Sequence, residues 1–238
     1  IKQETAKIII KFIKDKKYSE RENRSLAQKP ELSLENIVDG SFMEETESYI
    51  ADQFPFRDRW ITLKTISEQA LGKKESNGVY KGKKKYLMED IAVPEPDNLT
   101  ANIDAINKLA KSNEVNTYMV VAPNAANTLS DYLPKLAPVA NQDEQMNEMS
   151  GRLCDDIKWI DIRDTLSSHT NEQLYCYTDH HWTTLGAYYA FQQVKEKMNL
   201  EGDTVEYEPT SVCNDFVGTL ASKSGFVPKM QDSIEIYV

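Results

Sequence analysis

Two short apolar runs constrain the fold more than anything else in the chain. Thr117-Tyr118-Met119-Val120-Val121-Ala122-Pro123 is almost wholly apolar, and Trp159-Ile160-Asp161-Ile162 is a second, shorter run of the same kind. Runs that do not alternate with polar residues belong to strands covered on both faces, as in a parallel sheet between layers of helices. A helical segment precedes each: 99–111, with Ile103, Ile106, Leu109 and Ala110 on one side, and 142–153. Helix followed by buried strand marks an α/β layer fold. In open α/β sheets, ligands gather at the carboxyl ends of the strands. The loop Pro123-Asn124-Ala125-Ala126-Asn127 follows the first run, which makes Asn124 and Asn127 candidate contacts.

The remaining segments fit around that frame. Ile9, Phe12 and Ile13 share a helical face near the start. Short helices are expected at 33–40, stopped by Gly40, and at 41–49. Asp52-Gln53-Phe54-Pro55-Phe56-Arg57-Asp58 is broken by its proline and reads as a packed turn orienting the next helix, 60–71, which Gly72 ends; Arg57 is also a candidate for holding a substrate or a buried ion pair. Asn77-Gly78 sets a hairpin bend. An edge strand is expected at 205–209 and a further strand at 234–238. The chain divides into an N-terminal arm, 1–30, and one domain, 31–238.

A chain of 238 residues buries one substantial core, or one core with a small appendage. The net charge of -10 argues against general nucleic-acid binding and against anionic membrane surfaces, which both require a basic patch. Residues 1–30 carry nine Lys/Arg against four Asp/Glu, so the acidity belongs to the body. Cys154, Cys176 and Cys213 form no CxxC pair, which leaves a zinc ribbon or thioredoxin-like site unsupported; one disulfide with a free thiol and three buried thiols stay equally open. No apolar run is long enough to span a bilayer, and the chain begins at Ile1, as a mature form or an excised piece does.

The densest chemistry lies in Tyr177-Thr178-Asp179-His180-His181-Trp182-Thr183-Thr184, followed at once by a periodic run, 185–198. Asp179 and His181 are two apart. In an extended segment their side chains leave one face, so the carboxylate takes one imidazole N–H and the other ring nitrogen is left as a base. Imidazole suits that work because it titrates near neutrality. Trp182 walls the site. Thr183 or Thr184 caps the following helix, whose buried stripe is expected at Ala187, Phe191, Val194 and Met198.

Other readings compete. Asp179, His180 and His181 are metal-ligand types, but adjacent histidines in an extended segment point opposite ways. The one further histidine is His169, so Asp161 or Asp164 would have to complete a site. The phosphoesterases named for the same three letters also require upstream acidic ligands and a downstream glycine-rich histidine motif, which are missing here. The histidines also fit a purely structural role. The nucleophile is the gap: Ser211, Ser222, Ser224 and Ser233 have no strand-turn-helix context, and Gln231-Asp232-Ser233-Ile234 only superficially matches a serine block.

Thr178-Asp179-His180-His181-Trp182-Thr183-Thr184-Leu185-Gly186-Ala187-Tyr188-Tyr189 closely resembles the signature of the DHHW protein family, found largely in Gram-positive bacteria. Asn23 to Pro30, Asp39-Gly40-Ser41-Phe42, the segment from Asp52 to Asp58, Asn77-Gly78-Val79-Tyr80 and the stretch from Asp215 to Gly225 look like further family blocks. The family is similar in turn to the SGNH-hydrolase-like domains of alginate O-acetylation proteins. That resemblance implies an SGNH-like three-layer α/β sandwich with a parallel central sheet, incomplete at its C-terminus. It implies Asp179 as orienting acid and His181 as base, with Asn124, Asn127, His180, Trp182 and Arg57 as rim candidates. It implies no metal and no cofactor. The expected activity is transfer or hydrolysis of acetyl groups on cell-envelope or exopolysaccharide glycans outside the cytoplasm, with a polysaccharide and an acetyl donor as partners beside membrane-anchored acetylation machinery. The family's serine block is expected beyond Val238. The competing expectation is a non-catalytic glycan-binding or structural envelope module.

Overall fold

The computed structural model describes residues 14–19, 22, 24–112, 115–202 and 208–237. The helical face expected at Ile9, Phe12 and Ile13 lies outside them, as does most of the edge strand expected at 205–209. The chain forms two compact units, 1–73 with 225–227 and 74–224 with 228–238.

In the first unit, β1 (Tyr18–Ser19) pairs antiparallel with β2 (Arg24–Ser25), and three helices follow: α1 (Leu34–Val38), α2 (Ser41–Asp52) and α3 (Arg57–Ala70). Punctuation in the sequence sets their ends. The Ser33 hydroxyl caps α1 by accepting from the Asn36 N–H at 3.1 Å. Gly40, at φ 85, turns the chain between α1 and α2, and Gly72, at φ 90, follows α3. Pro55 cannot donate to a continuing helix, so α2 and α3 stay separate. Most large apolar side chains here stay exposed, among them Met43, Ile50, Trp60, Leu63 and Ile66.

The second unit carries the motif. β3 (Glu75–Ser76), β4 (Val79–Lys81) and β5 (Leu87–Glu89) form an antiparallel sheet. Asn77 and Gly78, both at positive φ, make its two-residue turn, the backbone that Asn-Gly favours. Then come α4 (Pro96–Lys111), β6 (Thr117–Val120), α5 (Ala125–Thr128), α6 (Gln142–Gly151), β7 (Ile157–Ile160) and α7 (Arg163–Ser167). β6 and β7 run parallel, with Thr117 opposite Ile157 and Val120 opposite Ile160. The unit continues with α8 (Thr184–Lys197), β8 (Pro209–Phe216), α9 (Thr219–Ser224) and β9 (Asp232–Tyr237), β8 and β9 being antiparallel.

The architecture is mixed α/β built on small sheets. The parallel pair expected from the apolar runs is present, but the described residues hold only two strands of it, not a full central sheet. β7 buries Ile157 and Ile160, whereas β6 has β7 on one edge, no described strand on the other, and is half-buried with Val120 exposed.

The core gathers Tyr86 and Met88 near β5, Ala125 and Leu129 near α5, Ile160, Ile162 and Leu166 around β7 and α7, and Leu174, Tyr175 and Ala190. Burying each larger aliphatic or aromatic side chain here contributes about 1.5–3 kcal/mol. α8 is rotated partway from the face expected. Val194 and Met198 of the expected stripe pack on the core, but Gly186 and Ala190 are its buried residues and Phe191 is exposed. Gly186 sets that rotation: a Cβ there would lie 2.4 Å from the Leu174 carbonyl oxygen, so only glycine lets the helix approach so closely.

Candidate active site

The motif sits at the tip of a narrow loop. Residues 174–176 pair back against 181–183: Cys176 N–H donates to His181 O at 3.1 Å, and Thr183 N–H to Leu174 O at 2.8 Å. Its incoming limb is rooted in the core through Leu174 and Tyr175. The Tyr175 hydroxyl donates to Pro123 O at 2.8 Å and sits 2.9 Å from Thr128 Oγ1, which ties the motif to the loop after β6. The Thr183 hydroxyl caps α8 by accepting from Gly186 N–H at 3.2 Å.

Asp179 and His181 are brought together by a bend, not by the extended segment expected. The Asp179 carboxylate accepts the His181 backbone N–H at 3.1 Å and the imidazole Nδ1–H at 2.5 Å, both through Oδ1. Asx geometry of this kind is a local alternative to strand or helix hydrogen bonding. Oδ2 accepts Thr219 N–H at 2.7 Å and the Thr219 hydroxyl at 3.0 Å. Burial alone would raise the Asp179 carboxyl, but these donors from Thr219 and His181 hold it at about 2. The carboxylate is therefore buried and ionised, while the His181 side chain is 67 % exposed. No described residue hydrogen-bonds His181 Nε2.

A second buried carboxylate stands behind the first. Asp232 accepts from Gln173 Nε2, from the N–H groups of Tyr177 and Thr178, and from the Thr178 hydroxyl at 2.6 Å. The Thr178 hydroxyl in turn accepts Gly218 N–H at 2.8 Å, and Thr178 O accepts from Leu220 and Ala221. Asp232 thus holds the strand of chain that carries Asp179, and Thr178 holds the turn that carries Thr219. Gly218 is required at that turn: a Cβ would lie 2.4 Å from both Cβ and Oδ2 of Asp179. Sequence reading missed Thr178, Gly218, Thr219 and Asp232 as site residues. The glycine followed by a small hydroxyl, Gly218-Thr219, just after β8 was the available signal.

A cavity of about 450 Å³ opens beside the pair, lined by Asp179, His181, Trp182, Phe216 and Ser233 among others. Trp182 lines it while also packing on the core. His180 is not turned away from His181. Their ring centroids lie 3.9 Å apart with the planes tilted by 37°, and His180 Nδ1 lies 3.0 Å from Thr219 Oγ1. Asn124 and Asn127 do not line this cavity. Asn124 exchanges hydrogen bonds with Gln142, and Asn127 donates to Asp143. Arg57 belongs to the first unit, where it pairs with Glu22 at 2.9 Å. Asp161, considered as a completing metal ligand, is engaged by Arg163.

No described serine reaches the imidazole. Ser233 lines the cavity, but its hydroxyl donates to Asn214; Ser211 also donates to Asn214, and buried Ser224 donates to Leu220 O. The cysteines are all free thiols, and burial pushes the Cys176 thiol, beside the same cavity, up to about 12. A thiol with that pKa is not a thiolate nucleophile at neutral pH. No helix among the described residues is long and apolar enough to cross a membrane.

The family description "DHHW protein" matches residues 65–224. No curated protein sequence matches the chain. Among solved structures, a DHHW family protein from Eubacterium siraeum superposes with a TM-score of 0.54 at 25% identity, covering 69% of this chain and 55% of that one. PatB1 from Bacillus cereus, solved with a sulfonyl adduct, gives 0.54 at 22% identity over 67% of this chain and 56% of its own. The O-acetyltransferase domain of AlgJ from Pseudomonas putida gives 0.53 at 19% identity, over 68% and 64%. The last two likenesses concern the fold alone. The chain spans a little over half the length of the first of these relatives.

Proposed function

From the membership of this chain in the DHHW protein family, we propose that it carries the acid–base half of a serine-dependent O-acetyltransferase or acetylesterase acting on glycans. The observation that carries this reading is the bond between buried Asp179 and His181 Nδ1, which leaves Nε2 without a partner on the motif's cavity. The likeness in fold to the O-acetyltransferase domain of AlgJ supports the reaction class.

In this mechanism a serine hydroxyl attacks the acetyl carbonyl while His181 Nε2 takes its proton. Asp179 stays ionised and stabilises the imidazolium. The imidazolium returns the proton to the departing sugar oxygen as the C–O ester bond breaks, leaving acetyl-serine. Water then completes hydrolysis, or a glycan hydroxyl completes transfer, with His181 again the base. Hydrogen-bond donors aimed at the tetrahedral oxygen hold its charge. We place the serine in a part of the protein outside residues 1–238. Two observations support that placement: the hydroxyls of Ser211, Ser224 and Ser233 are committed elsewhere, and the Eubacterium siraeum protein extends well beyond the region matched. The same reading puts the protein outside the cytoplasm, next to membrane-anchored acetylation machinery, with an SGNH-like parallel sheet completed outside these residues. The absence of a described serine on His181 is the one observation favouring the second reading, a non-catalytic glycan-binding module.

Acetyl-ester hydrolysis by the full-length protein separates the two. The mechanism predicts turnover that falls about 10⁴-fold in His181→Ala. Equal rates in the variant and the parent reject His181 as the base.

A further inference from the structure

The catalytic reading uses Asp179 and His181 but leaves His180 without a task. Its hydrogen bonding is nevertheless as constrained as that of His181. The Thr219 hydroxyl has one proton, and it is donated to Asp179 Oδ2 at 3.0 Å. His180 Nδ1, 3.0 Å from the same hydroxyl oxygen and 3.4 Å from Asp179 Oδ1, then faces two acceptors and must carry its own proton. Neutral His180 therefore has its lone pair on Nε2. Neutral His181 has the same tautomer, because its Nδ1–H is given to Asp179. Two neighbouring, mutually tilted imidazoles thus give their Nδ1–H groups to oxygen acceptors and are each left with an Nε2 lone pair.

We propose that His180 and His181 form a binding site for a borderline divalent transition ion such as Zn²⁺, and that this ion inhibits the enzyme. Metal-bound histidines characteristically donate their other ring N–H to a carboxylate or another oxygen acceptor, which fixes the tautomer and raises ligand basicity. Here Asp179 serves His181 and Thr219 serves His180. Two nitrogens bound to one tetrahedral zinc stand roughly 3.3 Å apart, given Zn–N bonds of about 2.0–2.1 Å. The two ring centroids stand 3.9 Å apart, on the same scale as that separation. Imidazole nitrogen suits this ion class better than magnesium or calcium, and water fills the remaining positions. The inhibitory consequence rests on the proposed function: an ion on His181 Nε2 occupies the lone pair that would receive the serine proton.

His169 supplies an internal control. It is the third and last histidine, stacked on Tyr189 at 3.8 Å with Nδ1 bonded to Thr165 O. Zinc is titrated into the protein at about pH 7.5, where neutral imidazole is available for ligation, and the ring signals of all three histidines are followed by NMR. His180 and His181 should shift together and saturate at one equivalent while His169 stays unmoved. His180→Ala, at an exposed position, should weaken binding at least tenfold, and Thr219→Val, which removes the acceptor behind His180, by about 10- to 100-fold. Shifts confined to one of the pair, or His180→Ala binding zinc like the parent, overturn the site. In the full-length protein, zinc should suppress acetyl-ester hydrolysis, and His180→Ala should escape suppression relative to its own zinc-free rate. Unaltered hydrolysis in His181→Ala would sink the proposed function and its inhibition, yet leave the zinc titration standing. A failed titration beside an inactive His181→Ala would sink the zinc site alone.

Discussion

Asp52 in the helical unit and Asp179 in the motif are both carboxylates held at about pKa 2, and they are held by opposite means. Asp52 is lowered first by the Arg24 guanidinium, which grips both its oxygens at 2.8 and 2.6 Å, with the Ala27 N–H and Arg57 adding to the effect against burial. Asp179 has no fixed cation. Burial pushes it up, and the donors of Thr219 and His181 pull it down. The charge on Asp52 is already neutralised by its partners, whereas that on Asp179 is available to stabilise a proton arriving on His181. A depressed pKa therefore does not by itself distinguish a structural carboxylate from a working one; the identity of the partner does.

The two regions differ as much in their glycines. Gly218→Ala should have the larger effect. Its Cβ would overlap the backbone and side chain of Asp179, which costs about 1–3 kcal/mol of stability. A misplacement of the carboxylate by about 1 Å should lower hydrolysis about 10²-fold. Gly40→Ala meets open space, and only its positive φ opposes the change, at about 1 kcal/mol and with no change in hydrolysis. Melting temperatures and rates measured side by side check both statements, and equal activities would dissolve the contrast.

Acid and salt sharpen it further. Both folded-state values lie below the ordinary carboxylate value of 3.8. Their stabilisation is therefore present above about pH 4 and is lost as pH falls toward 2, with about 2 kcal/mol at stake for Asp179. The Arg24 side chain is 43% exposed, so roughly 1 M salt should screen the contribution of Asp52 while leaving that of Asp179 nearly intact. Acid unfolding of Asp52→Asn and Asp179→Asn at low and high salt reads this directly. Equal salt sensitivity would mean that the two carboxylates are held alike.

The same division governs what was legible in the sequence. Helix ends at Ser33, Gly40 and Gly72 and the Asn77-Gly78 turn depend on neighbouring residues, and they fall where the sequence places them. The Asp179–His181 pairing was legible from its spacing, although a bend makes it where an extended segment was expected. Thr219 and Asp232 were not legible, because they lie forty or more residues from the groups they hold. The N-terminal half of the inward face of α8 was misread for a related reason. It is set by the approach of Gly186 to the Leu174 carbonyl, which periodicity within the helix does not reveal.

The central claim is that Asp179 fixes His181 with its proton on Nδ1. The proton in that 2.5 Å bond should give a far-downfield ¹H signal coupled to ¹⁵Nδ1 of His181. The account predicts that the signal persists in Asp52→Asn and disappears in Asp179→Asn. A signal that survives in Asp179→Asn, or that is missing from the parent protein at neutral pH in the cold, would contradict it.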